Sequence, residues 1–189
     1  GTHYYQGELA ITSAMNIVGD PTVSKDNIII KGQSDDAGIH YDNQNRDSTL
    51  KLHLQHLTLQ SEGHGIVGYS SFTMKDVLVE HCGGNGVAVY GCTATFTDIE
   101  VKECAWSGIK ASRGAEVTLS RTLSGTTKVH RNGTDNDDYG VLVWGNSEII
   151  LTPPLTKESV STGNNGGGDW GTGGSANLNQ IKTTTLRFF

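Results

Sequence analysis

A short phrase recurs at a fixed spacing, and this repeat limits the folds that the chain can adopt. The segment EHCGGNGVAVYGC (80–92) is followed by KECAWSGIKASRG (102–114), so that Cys82 and Cys104 lie 22 residues apart. A period of about 22 residues is typical of architectures in which one small structural unit is stacked on the next. The repeat therefore predicts a stacked fold before any residue is given a chemical role.

A glycine that opens an apolar alternation marks each repeat. These glycines are Gly38, Gly65, Gly86, Gly108 and Gly140, at intervals of 27, 21, 22 and 32 residues. Two further short alternating stretches follow each glycine and predict two more strands per repeat. Because such a repeat cannot bury its apolar face alone, the repeats are expected to stack as a solenoid.

The strands that follow the glycine strand are predicted from their alternation. The second strands are predicted at 50–54, 71–74, 94–96, 117–119 and 149–151, and the third strands at 27–30, 57–59, 77–79, 99–101, 127–129 and 158–160. Period-two alternation places Val77, Val79, Ile99 and Val101 in the core, and Leu78 and Glu100 outside.

The amino-acid composition favours β-strands and argues against some classes of binding partner. The 189 residues include 25 Gly and 3 Pro, a mixture that favours short strands and tight turns. A net charge of −6 without Lys/Arg clusters argues against a nucleic-acid partner. No apolar run approaches the length of a membrane span, so membrane insertion is not expected.

The patterns together predict an all-β fold, a single-stranded right-handed parallel β-helix of about six turns with three short strands per turn. We expect a single β-helix domain over 1–189, with an N-terminal turn or cap at 1–24 and regular turns at 25–160. A Gly/Asn-rich loop and a C-terminal cap are expected at 161–189. Within that cap, Leu186, Phe188 and Phe189 would either cover the last turn or form a homo-oligomer contact between end turns.

Two stretches resemble known β-helix proteins. The glycine-led rhythm over about 25–185 resembles the pectin-lyase-like β-helix superfamily. More narrowly, TKVHRNGTDNDDYGVLVWGNSEIILTPPLTKESVSTGNNGGGDWG (127–171), with NQIKT (179–183), is similar to β-helix repeat proteins of large DNA viruses and marine protists. The resemblance implies the fold and an extracellular or virion-associated location, but it assigns no activity.

Two segments resemble the catalytic signatures of polygalacturonase-type glycosidases. SDDAGIHY (34–41) and EGHGIVGY (62–69) are similar to the DDC and GHG phrases of those enzymes. The resemblance makes Asp36, His64 and Lys110 candidate catalytic residues of a hydrolase, polysaccharide lyase or epimerase. However, Ala37 stands where the second carboxylate of the pair is expected, and inverting hydrolysis needs two carboxylates.

A column of residues four positions after each glycine is expected to face outward. It contains Asp42, Tyr69, Tyr90, Ser112 and Trp144. Tyr69, Tyr90 and Trp144 are candidates for stacking against sugar rings. His40, His64 and Lys110 are candidates for polar contacts on the same face. The alternative is that these aromatic rings only pack on one another.

Two further groups of residues are candidates for a metal site and for a disulfide bond. Asp135, Asp137 and Asp138 offer clustered oxygens to a calcium ion, and a solvated acidic loop is the alternative. No other cofactor is expected. Cys82 and Cys104 are either a disulfide across adjacent turns or small core residues.

Three functional hypotheses follow. The first is a non-catalytic module that presents a face to a glycan or another partner. The second is a polysaccharide lyase, epimerase or glycoside hydrolase acting on the same face. The third is a structural fibre or spacer, because fold by itself does not determine function.

Overall fold

The structure, a computed structural model, describes residues 1–5, 7–44 and 51–184, with only the backbone of Tyr5. The proposed capping residues Leu186, Phe188 and Phe189 lie outside the described residues. Likewise, the strand predicted at 50–54 is described only from residue 51 onward.

Two sheets of parallel strands form the described structure, which confirms the all-β prediction. The first sheet contains β1 (Thr2–Tyr5), β3 (Asn16–Val18), β4 (Ile29–Gly32), β6 (Leu52–Ser61), β8 (Phe72–Cys82), β10 (Thr93–Thr97), β11 (Glu100–Lys102), β13 (Glu116–Ser120), β14 (Lys128–His130), β16 (Glu148–Leu151) and β18 (Ile181–Thr183). The second contains β2 (Leu9–Ile11), β5 (Ala37–Tyr41), β7 (His64–Gly68), β9 (Val87–Tyr90), β12 (Ile109–Ser112), β15 (Tyr139–Trp144) and β17 (Gly168–Gly173).

The second sheet grows by one strand each time the chain returns to it. Its spatial order is β17-β15-β12-β9-β7-β5-β2, so strands that follow each other along the chain in this sheet are also neighbours in space. The register brings Ile39, Ile66, Val87, Ile109 and Val141 into one continuous row. These residues are fully buried, so the row forms one wall of the core.

The first sheet bends where residues adopt left-handed backbone angles. His56, Asp76 and Asp98 have φ of 54°, 52° and 55°. In β6 and β8 strand pairing continues on both sides of this bend. The second and third strands predicted there are therefore one long bent strand each.

The predicted core positions Val77, Val79, Ile99 and Val101 are confirmed, because all four are fully buried. Leu78 was expected outside but is buried. In the register of the sheet it stands beside Thr58, whose hydroxyl donates to the Lys25 carbonyl at 2.9 Å. The short 3-10 turn Lys25–Asn27 therefore packs over this part of the sheet.

The strand predicted at 158–160 is wrong, because these residues belong to the helix α1 (Lys157–Val160). Thr156 accepts a hydrogen bond from the Ser159 backbone, and the Ser159 side chain bonds back to the Thr156 backbone. This capping box favours a helical turn over an extended strand. Among the described residues, no helix has the length and apolar character needed to cross a membrane.

A column of equivalent residues links the third strands to the second sheet. The Cys104 N–H donates to Asn132 Oδ1 at 3.1 Å, and the Asn132 N–H donates to Asn164 Oδ1 at 3.1 Å. Cys82 and Cys104 are both buried free thiols. They therefore fit the small-core-residue alternative, while the two asparagines satisfy backbone groups at the same position of later repeats.

Candidate functional site

The outer face of the second sheet has a buried lower layer. Strand alternation points Val67, Ala88 and Leu142 outward, two positions before the aromatic column, and the register places them in one row with His40 and Lys110. All three are nevertheless buried, whereas His40 and Lys110 are half-buried. Larger side chains therefore cover this row and form the surface that a ligand would meet.

Three of the predicted binding residues stack on one another. We call them the stacked aromatic row, and they are His40, Tyr69 and Tyr90. The His40 and Tyr69 ring centroids are 5.3 Å apart, and the Tyr69 and Tyr90 centroids are 5.2 Å apart at an interplanar angle of 17°. The Arg113 guanidinium lies over Tyr90, 5.3 Å from its centroid. The rings thus cover one another's faces, while 39% of the Tyr69 surface stays exposed.

Trp144 belongs to the same outward column but is separated from the stacked aromatic row. Ser112, which is small and buried, stands between Tyr90 and Trp144 on the intervening strand. The Trp144 ring lies against the backbone of Gly173, where an added Cβ would overlap it. Lys110 Nζ lies 5.9 Å from the centroid of the Trp144 ring. Trp144 is 46% exposed and therefore remains available at the surface.

Two open compartments meet at Lys110 and Trp144. The cationic compartment has a volume of about 460 Å³ and is lined by Tyr90, Lys110, Ser112, Arg113, Trp144, Gly145 and Asn146. The acidic compartment has a volume of about 400 Å³ and is lined by Asn85, Trp106, Ser107, Lys110, Asp137, Asp138, Tyr139, Leu142, Trp144 and Thr172. Aromatic rings next to a few convergent polar groups are typical of ligand sites.

His64 lies beside the acidic compartment with its ring fixed in place. Its Nδ1 accepts a hydrogen bond from the Asn85 N–H at 2.8 Å, and its ring meets the edge of Trp106 at 5.2 Å between centroids. Burial lowers the pKa of His64, the Asp36 carboxylate partly opposes this, and Lys110 adds to the lowering. The neutral imidazole therefore carries its proton on Nε2 and is a hydrogen-bond donor.

The candidate catalytic residues are neighbours, but they do not form an acid and base pair. Asp36 is exposed, and its backbone carbonyl accepts a hydrogen bond from the backbone N–H of His64 at 2.9 Å. Ala37, at the position of the second carboxylate, is buried against Val67 and Ala88. General-base catalysis by His64 would need a free nitrogen lone pair. With Nδ1 occupied and Nε2 protonated, this geometry does not offer one.

The predicted calcium ligands lie in the loop before β15, at the acidic compartment. Asp135 and Asp137 are exposed and Asp138 is half-buried. Burial raises the pKa of Asp138, and the nearby Asp135 and Asp137 charges raise it further, against backbone hydrogen bonds. Calcium binding by this loop stays a prediction.

Another group of ligand-type atoms lies outside the compartments. Among the described residues, Glu80, His81 and Glu103 offer atoms that lie within 4.8 Å of one another. Lys102 pairs with Glu80 at 3.3 Å and Arg131 pairs with Glu103 at 2.6 Å. These cations already balance both carboxylates, so we treat the group as a surface ion-pair network.

Sequence reasoning missed Trp106 and Arg113. Trp106 is 47% exposed. Its backbone N–H donates to the Gly84 carbonyl, and the Gly84 backbone N–H donates in turn to the Gly63 carbonyl. The position is therefore glycine in two earlier repeats and tryptophan in the third. A large aromatic residue that replaces a repeated glycine is the signal that could have found it.

A larger cavity of about 820 Å³ lies at the bend of the first sheet. Three of its ionic groups are paired with one another: Asp76 contacts His56 at 2.5 Å and Lys25 at 2.7 Å. His56 Nε2 is also 2.8 Å from the Val23 carbonyl. Because these contacts join the 20–27 segment to the sheet, we assign this cavity a structural role and place the candidate site on the second sheet.

Comparisons of the chain with protein-family models, curated proteins and solved structures found no match.

Proposed function

We propose that the two sheets are the walls of a single-stranded right-handed parallel β-helix. The sequential order of the second sheet supports this, as does the parallel pairing. Left-handed residues also recur at three bends: His56, Asp76 and Asp98 at one, His81, Glu103 and Arg131 at the next, and Gly91, Arg113 and Gly145 after the second sheet. Right-handed crossovers between parallel strands are strongly preferred. An experimental structure with left-handed crossovers would contradict this assignment.

We infer that the molecule is a non-catalytic module that binds a glycan on the outer face of the second sheet. The observation that carries this proposal is the pair of compartments that share Lys110 and Trp144. Trp106 and Trp144 are about half exposed there. The exposed Asn146 amide and the half-buried Thr172 hydroxyl lie beside them. Exposed tryptophan combined with polar donors suits a sugar ring, which has apolar faces and hydroxyl edges.

The environment of His64 favours binding over turnover. Its Nδ1 is occupied by the Asn85 N–H, so the remaining Nε2–H can only donate. His64 contacts Asn85 and Trp106, which line the acidic compartment, and so supports that wall without lining it. The enzyme hypothesis stays an alternative that the same experiment tests.

Calorimetry with a panel of neutral, acidic and amino oligosaccharides tests the proposal, with product analysis of each mixture after prolonged incubation. We expect binding without new reducing ends or unsaturated products. Trp144→Ala should weaken binding at least tenfold, equivalent to about 1.4 kcal/mol. Leu123→Ala is the matched control, because Leu123 is a fully exposed apolar side chain that lines neither compartment. Turnover abolished in His64→Ala would instead establish the enzyme hypothesis.

A further inference from the structure

The two compartments carry opposite charge although they share one wall. The cationic compartment is lined by two cations, Lys110 and Arg113, and by no carboxylate. The acidic compartment is lined by Asp137 and Asp138 against Lys110 alone. The local charge therefore changes sign across the Lys110–Trp144 boundary, from net positive to net negative.

From this charge division we propose that the ligand is a zwitterionic glycan, one that carries a free amine close to an anionic group. This inference rests on the proposed glycan-binding function and names its substrate class. The amine would enter the acidic compartment, between the carboxylates of Asp137 and Asp138 and the exposed ring of Trp106. The anionic group would enter the cationic compartment, where Lys110 and Arg113 converge.

The contacts on each side fit these groups. An ammonium ion is attracted both by carboxylates and by the face of a tryptophan ring. Lys110, whose ammonium lies 5.9 Å from the centre of the Trp144 ring, already shows that a cation is accommodated in this aromatic surface. On the other side, an arginine next to a lysine is a strong donor set for carboxylate, sulfate or phosphate oxygens.

Two further observations favour a ligand with both charges. The pKa of Asp138 is raised by burial and by the charges of Asp135 and Asp137, so a ligand cation at this position would relieve repulsion that exists in the free protein. The net charge of −6 disfavours a purely anionic polymer through long-range repulsion. A purely cationic polymer would instead meet Lys110 and Arg113 in the cationic compartment.

Size-matched heparin oligosaccharides test the inference, because two preparations differ only at the nitrogen. N-desulfated heparin carries free amines, and its re-N-acetylated form keeps the same carboxylates and O-sulfates without the amines. By calorimetry we expect the free-amine form to bind at least tenfold more tightly. The double variant Asp137→Asn/Asp138→Asn should lose this preference, and its affinity for the acetylated form should not fall.

A charge-matched control separates local recognition from net charge. Asp26→Asn/Glu158→Gln also removes two carboxylates, but these are exposed and line neither compartment. This variant should keep the full preference, and thermal melting checks that both variants are folded. The comparison of the two oligosaccharides on the unaltered protein does not depend on any variant.

The possible failures are distinguishable. Equal or tighter binding of the acetylated form, still sensitive to Trp144→Ala, would overturn the zwitterionic ligand and leave the glycan-binding function in place. Absence of binding to every oligosaccharide in both experiments would overturn the two proposals together. Capture of a trimethyllysine peptide without any glycan binding would do the same, because the aromatic and acidic groups would then serve a protein partner.

Discussion

Two groups of aromatic side chains stand on the same outer face of the second sheet, yet they are organised differently. His40, Tyr69 and Tyr90 occupy adjacent strands and stack on one another at 5.2–5.3 Å between centroids. Trp144 is separated from Tyr90 by the strand that carries Ser112. The first group is closed by face-to-face packing except at Tyr90, which also lines the cationic compartment, and the second lies between two open compartments.

The difference shows that the spacing between strands decides whether outward aromatic rings stack on one another or leave room for a ligand. Neighbouring parallel strands are about 4.8 Å apart, close to the separation at which rings stack. Rings on adjacent strands therefore cover each other's faces and stabilise the sheet. A small residue on the intervening strand doubles the separation and leaves room for a ligand group.

The largest expected effect comes from filling the gap that Ser112 leaves between Tyr90 and Trp144. Ser112→Tyr would place a ring between Tyr90 and Trp144 and extend the stacked aromatic row through the cationic compartment. We expect glycan affinity to fall by about 100-fold, equivalent to about 2.7 kcal/mol, because the ligand site would be filled. Calorimetry measures the affinity, and Ser112→Ala serves as the control with the gap preserved. Unchanged affinity in Ser112→Tyr would place the ligand elsewhere.

A smaller effect is expected from moving Trp144 without changing it. A Cβ at residue 173 would overlap the Trp144 ring, so Gly173→Ala forces that ring to shift. Overpacking of this kind typically costs about 1–3 kcal/mol, and we expect affinity to fall about tenfold as the ring leaves its position. Near-ultraviolet circular dichroism reports the displaced tryptophan, and calorimetry reports affinity. A shifted dichroism signal with unchanged affinity would show that the position of Trp144 does not matter.

A substitution in the middle of the stacked aromatic row should lower the stability of the fold and leave glycan binding unchanged. Tyr69→Ala removes the central ring of the stacked aromatic row and should lower the free energy of unfolding by about 1 kcal/mol. Urea denaturation measures the change, and Tyr69→Phe, which keeps the ring, should remain near the unaltered protein. Loss of glycan binding in Tyr69→Ala at intact stability would mean that Tyr69 itself contributes to the ligand site.

The smallest effect concerns the bend of the first sheet, which is held by ion pairs and contains none of the residues of the aromatic column. Hydrogen bonds to Asp76 and to the Val23 carbonyl raise the pKa of His56 above the ordinary value of 6.5, against the effect of burial. Because the folded state holds this proton more tightly, the stabilisation is fully present below pH 6.5 and is lost as the pH rises through the raised pKa of His56.

Denaturation of the unaltered protein and of His56→Gln across neutral pH measures this contribution. The unaltered protein should lose stability on the alkaline side of neutrality, and His56→Gln should show a flatter dependence. Identical pH profiles for the two proteins would show that His56 does not hold its proton more tightly in the folded state.

Much of the fold was predictable from local patterns. The inward positions Val77, Val79, Ile99 and Val101 followed from alternation, and all four are fully buried. The errors arose where contacts distant in sequence decide the outcome. Leu78 is buried because the 3-10 turn at Lys25–Asn27 packs over its part of the sheet. Residues 158–160 are helical because Thr156 and Ser159 cap each other.

The candidate site was predicted only in part. Tyr90, Trp144 and Lys110 were placed on the outer face by the glycine register. Their mutual geometry was not predictable, since alternation gives the side of a sheet and not the angle or separation of rings. Asp137 and Asp138 were noticed for their charge, but their position beside Trp106 depends on how a long loop folds back onto the sheet.

By itself, the sequence determined the repeat, the all-β character and which side chains face inward, because strand periodicity and turn chemistry are local properties. Only the tertiary structure decided which outward aromatic rings are closed and which are open. It also decided that Lys110 and Trp144 join a cationic and an acidic compartment. The physical reason is that ring faces and compartment charges depend on side chains from several strands, which parallel pairing brings together at distances that no single strand encodes.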